Sequence, residues 1–202
     1  GRYREHNRSA NCGVCFNMNL ETKIIKESLG VLILASIISA SGGIGLQVVR
    51  EKIFMILPLL ILFPALNGMV GNFGATFASR YTTLLYQKKL GKRKFMNKAL
   101  KDLYFQVLKV SMIAAFYIST LSSIVSLLKG FEFNPVIYIK ILFITVLTTA
   151  FLVTIISFIS IVAGNYFVKK KEDPDNLLIP ITTSVADLGS MLIFSLLVFF
   201  IL

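Results

Sequence analysis

The chain has a single histidine, His6, and two cysteines, Cys12 and Cys15, and all three come before the first long apolar run. This argues against a site for a soft metal such as Zn²⁺ or Cu⁺ within the apolar segments and excludes a Ser–His dyad there. Acids are scarce as well, ten Asp and Glu against 21 Lys and Arg. Nine of the ten sit in polar stretches or at the ends of apolar ones, so one chain cannot build a two-metal or dual-aspartate centre at depth, and no enzyme activity is expected. The glycines between Gly68 and Gly74 lack the lysine of a phosphate loop. Cys12-Gly-Val-Cys15 is one unsupported C-x-x-C, open to reading as half of a zinc knuckle completed by a partner chain or as a redox pair.

What the chain has in quantity is apolar sequence. Fifty-five per cent of its 202 residues are hydrophobic and the mean hydropathy is +0.77, which places it in the membrane class. The net charge of +11 fits nucleic acid in principle. The basic residues, however, gather in short loops between apolar segments, as in a polytopic membrane protein, so no nucleic-acid partner is expected. Residues 1–27 read as a polar, basic tail, and 28–202 as one membrane domain. No small-residue cleavage site follows the first apolar segment, and no cleaved signal peptide is expected.

Five segments are long enough to cross an apolar core of about 30 Å at about 1.5 Å per residue. The first runs from Leu29 to Val49, with Ala35, Ser39 and Gly43 at four-residue spacing, a face suited to close helix packing. The second, Ile53 to Gln87, is overlong and carries Pro58, Pro64, Gly68, Gly71 and Gly74. A break there frees backbone groups that must be satisfied by neighbours or a watered cavity. The third (Leu103 to Leu128) and fourth (Val136 to Val168) read as scaffold, with Lys109 and Lys140 near enough to segment ends to snorkel. The fifth follows Asp173 and Pro174, a capping residue and a residue favoured at the first helical position. The expected fold is all-α, polytopic, with five transmembrane helices and the second one broken.

Fifteen Lys and Arg fall on the side of the N-terminus and four on the other. The positive-inside rule then puts the N-terminus in the cytoplasm and the C-terminus outside the cell membrane. Five spans leave no room for an internal duplication, so a two-fold pathway requires a homodimer.

Asp187 is the one acid well inside an apolar run, Leu177 to Leu202. A charge at that depth costs a few kcal/mol or more unless a partner, water or an ion compensates it, which makes it a candidate functional residue. Thr183, Asp187 and Ser190 share a helical face, with Pro180 one turn before Thr183, towards the cytoplasm. Oxygen ligands suit hard cations. Mg²⁺ keeps several waters and is typically held by one or two carboxylates, so a lone acid per chain suits passage of a largely hydrated ion. The competing readings are a neutral, hydrogen-bonded Asp187 and hydroxyls that bond their own i−4 carbonyls.

Pro64-Ala-Leu-Asn-Gly-Met-Val-Gly-Asn-Phe-Gly74 with Ala78-Ser-Arg80 resembles the second membrane helix of MgtE-type magnesium channels and of the eukaryotic solute carrier family 41. Asp173-Pro-Asp-Asn176, then Pro180, Thr182-Thr-Ser184 and Asp187, resembles their fifth. The resemblance covers nearly all of the chain from segment one onwards. It implies a pore at a dimer interface lined by the second and fifth helices, an Asp187 that coordinates the permeating Mg²⁺, and a pore-lining Asn72. For Asn72 a helix–helix hydrogen bond is the other reading, and for Asp173 and Asn176 helix capping is. Two features depart from the family: the 27 leading residues are too few for the cytosolic Mg²⁺-sensing region of typical MgtE proteins, and the chain holds one membrane unit where solute carrier 41 chains hold two in tandem.

The expectation is a homodimeric divalent cation channel or transporter, Mg²⁺ foremost, with Asp187, Asn72 and Thr183 as metal-facing residues and no cofactor beyond the transported ion. A Na⁺- or H⁺-coupled exchanger is the alternative, and a membrane scaffold without transport the third reading.

Overall fold

In the computed structural model, residues 12–87, 97–132, 134–170 and 174–202 are described. They form α1 (Cys12–Val48), α2 (Arg50–Met55), α3 (Leu57–Tyr86), α4 (Lys98–Leu128), α5 (Pro135–Lys170) and α6 (Pro174–Ile201), with no strand among the described residues. Five of these helices, all but α2, contain stretches long and apolar enough to cross a membrane. The chain is an all-α protein of five spans, as expected.

Local chemistry sets the helix ends. The Asn97 side chain accepts a hydrogen bond from the Ala99 amide (3.2 Å) and opens α4, and Asn134 accepts from the Val136 amide (3.0 Å) just ahead of Pro135 at the first position of α5. Helix α4 stops where Gly130 takes φ +87°. The Gly130 and Phe131 amides then donate back to Leu127 and Ser126 carbonyls, a left-handed cap that a side chain at Gly130 would strain. His6 and Asp173 lie outside the described residues, as do the side chains of Cys12, Cys15 and Asn176; the backbone of those last three is helical. Helix α1 runs unbroken across the 27/28 boundary, because composition marks where the helix becomes apolar and not where it begins.

The break in the second segment falls at Ile56, an extended residue (φ −109°, ψ 91°) between α2 and α3. Pro58 then occupies the first turn of α3, where its missing amide costs nothing. From there α3 is continuous through Pro64, Gly68, Gly71 and Gly74. Gly74 lies under Ile156, whose Cγ2 is 3.2 Å from where a Cβ would sit, while Gly68 and Gly71 face open space.

Helix α3 is central, packed on α4, α5 and α6. One buried apolar cluster joins Leu62, Leu66, Ile144, Leu152, Ala186 and Phe194, and a second joins Phe77, Tyr81, Leu103, Val107 and Leu178. In lipid, close approach and hydrogen bonding matter more than apolar burial, and the glycines show where the helices close up. A Cβ at Gly42 would lie 2.7 Å from Met191 Sδ and 3.2 Å from Leu188 Cα, one at Gly45 2.7 Å from Leu192 Cδ2, and one at Gly164 2.8 Å from the Tyr81 ring. Helix α1 thus docks on α6 through Gly42 and Gly45. Of the expected Ala35, Ser39 and Gly43 stripe, Ala35 and Ser39 face α6, but Gly43 faces open space. Only 6% of the α1 span is buried, against 33–50% of the others, so α1 is peripheral and α6 carries it.

Candidate functional site

Asp187 lies on α6 where α1 and α3 come together. Its two carboxylate oxygens are held from two different helices. The Asn67 side-chain amide on α3 donates to Oδ1 (3.1 Å), and the Ser39 hydroxyl on α1 donates to Oδ2 (3.0 Å). Ser190, one turn along α6 and fully buried, donates in turn to Asn67 Oδ1 and lies 2.9 Å from the Asp187 carbonyl. That contact fixes the Asn67 amide: with its oxygen engaged by Ser190, its NH₂ faces the carboxylate.

An ionised carboxylate has roughly four acceptor positions. Asn67 and Ser39 each occupy one, so each oxygen keeps capacity on its other side. Asp187 lines a cleft of about 590 Å³ between α1 and α6. Ala35, Ser36 and Ser39 line one wall, and Pro180, Thr183, Ser184 and Asp187 the other. Asp187 is half-buried, neither fully exposed nor sealed in the core. No three His, Cys, Asp or Glu side chains come together among the described residues, so the residues present do not form an all-protein cage for a dehydrated ion.

Thr183 borders the same cleft. Its hydroxyl proton points back to the Ile179 (3.0 Å) and Pro180 (3.1 Å) carbonyls, the self-bonding expected of a helical threonine. Its oxygen remains an acceptor. Ser190, the third member of the sequence stripe, points instead into the α3–α6 seam, toward Asn67. Asn72 is exposed on α3 and is not brought to Asp187 within one chain. Five residues separate it from Asn67, about 140° around a helix, so the two asparagines face different ways.

Asn67 and Ser39 were the residues missed as partners of Asp187. Asn67 stands three residues after Pro64 in the quoted motif, but choosing it over Asn72 requires the register of α3 against α6. Ser39 was visible only as a small residue.

No curated protein and no solved structure matches the chain. Residues 63–197, most of the chain and all of α4 and α5, match the MgtE family, described as "Divalent cation transporter". The matched region contains Asn67, Thr183, Asp187 and Ser190, and together with the five apolar helices it identifies this multi-pass membrane protein as a member of the MgtE family of divalent cation transporters.

Proposed function

We propose that the chain conducts hydrated Mg²⁺ across the cell membrane, as a homodimer in which each protomer contributes one Asp187 to the pathway. The observation that carries this reading is the Asp187 carboxylate, held by Asn67 and Ser39 and lining a cleft of about 590 Å³. Mg²⁺ is octahedral and gives up water reluctantly. Six waters at roughly 30 Å³ each need roughly 180 Å³, so a hydrated ion fits with space to move. One carboxylate per protomer attracts it without building the closed cage that would trap it, the balance that conduction needs.

The reading gives Thr183 a water-contacting role on the cleft wall. It assigns Asn72, exposed on α3, to the surface offered to the second protomer. The paired acids that Mg²⁺ sites favour come from the two-fold, since each chain has one. The N-terminus lies in the cytoplasm and the C-terminus outside, on the distribution of basic residues.

Uptake of Mg²⁺ into ion-free proteoliposomes tests this. Flux driven by the Mg²⁺ gradient alone is the expected result. Flux that appears only with an opposing Na⁺ or proton gradient replaces the channel with a coupled exchanger, and no flux under either condition ends the transport reading.

A further inference from the structure

At the end of the bundle where α1 passes into α2, a second hollow of about 410 Å³ opens between α1, α2 and the start of α3. Its walls are apolar, with Leu46, Ile53, Leu60 and Phe63 facing inward. Gly43 lies on its α1 side, and a Cβ there would meet nothing within 4 Å. The small-residue stripe of the first span thus loses its protein partner at this position, and among the described residues no side chain fills the space.

The rim is different. Gln47 and Arg50 stand at the mouth, with the Arg50 guanidinium carbon 5.9 Å from the Phe54 ring centre. Arg50 is exposed and makes no ion pair among the described residues. Two residues on, Lys52 donates to the Phe199 carbonyl (3.2 Å) in the last turn of α6. The end of α1, α2 and the end of α6 are therefore level with one another, and that level is where spans leave the hydrocarbon and cations meet headgroups. From Gln47 to Gly43 the α1 wall descends about 6 Å, so the apolar part lies beneath the cationic rim.

A hollow apolar below and cationic at the headgroup level matches an amphiphile with a negative head. We propose that it holds one acyl chain of an anionic phospholipid, with the lipid phosphate on Arg50 and the Gln47 amide as a second donor. A second copy of the chain fits less well. An isologous contact centred on this hollow would gather Arg50 and Lys52 of both copies into one interface, and like charges brought together repel. The proposal is independent of the Asp187 site and needs only that the helices lie in a bilayer.

Native mass spectrometry of the detergent-purified protein, titrated with phosphatidylglycerol and separately with phosphatidylcholine, tests it. The wild-type chain is expected to retain phosphatidylglycerol preferentially, and Arg50→Gln to reduce that preference at least about fivefold, the scale of one charge-assisted hydrogen bond. Gly43→Leu, whose Cβ meets nothing within 4 Å and whose side chain takes up part of the hollow, is expected to remove the tightly held lipid of either kind, with helicity and melting temperature unchanged. Wild-type lipid retention in both variants overturns the proposal. So does a Gly43→Leu variant that shifts the monomer–dimer ratio and leaves lipid retention intact, since a second copy would then be the occupant. Should Gly43→Leu fail to fold, the charge preference of Arg50→Gln decides alone.

Discussion

Asp187→Asn removes one charge per protomer and leaves the surrounding hydrogen bonds in place. The new amide oxygen accepts from Asn67 as Oδ1 does now (3.1 Å). The new NH₂ takes the place of Oδ2 and donates to the Ser39 oxygen, whose own proton is free to rotate. Folding and assembly are expected to survive, so the variant isolates electrostatics. With one water layer between them, at about 4.5 Å, a divalent cation and a carboxylate attract by roughly 2 kcal/mol at the dielectric of water and roughly 7 kcal/mol at an effective dielectric of about 20. Asp187 is half-buried and open to the cleft, so the smaller figure is the floor. Mg²⁺ flux well below saturation should then fall by at least about twentyfold, at about 1.4 kcal/mol per factor of ten. The assay is Mg²⁺ uptake into proteoliposomes, with elution volume and melting temperature of the purified variant as controls. Wild-type flux from a normally assembled variant would refute the assignment of Asp187 to the pathway.

The bracing of Asp187 gives a second outcome. Asn67→Ala should lower flux about tenfold through loss of a hydrogen bond to a charged group, and adding Ser190→Ala should lower it no further, because Ser190 acts on the carboxylate through Asn67; additive losses in the double variant would separate the two residues. Gly42→Ala presses a methyl on Met191 and on the Leu188 backbone and should cost about 1–3 kcal/mol, whereas Gly43→Ala should be close to neutral, a contrast read by denaturant titration in detergent and contradicted by equal effects. Lys52→Met removes the donor to the Phe199 carbonyl and the contact with the Phe199 ring (5.4 Å) and should lower stability by no more than about 1 kcal/mol, measured in the same titration.

Hydropathy and charge alone settled the class of the protein, the number of spans and their limits to within a few residues. The reason is that a bilayer demands about 20 apolar residues per helix and all backbone hydrogen bonds made within it, so each span declares itself locally. The cost of burying a charge singled out Asp187 on the same local grounds. Sequence placed the break of the second segment only broadly, because Pro64 and the glycines after it tolerate a helix as well as they permit a bend; packing of α3 on α4, α5 and α6 kept that stretch helical and left the break at Ile56. Nor could sequence say which of two asparagines reaches Asp187, or that Ser39, 148 residues away, holds its other oxygen. Those pairings depend on the rotation and axial register of α1, α3 and α6, which the contacts of Gly42, Gly45 and Phe63 with α6 fix and no single segment encodes.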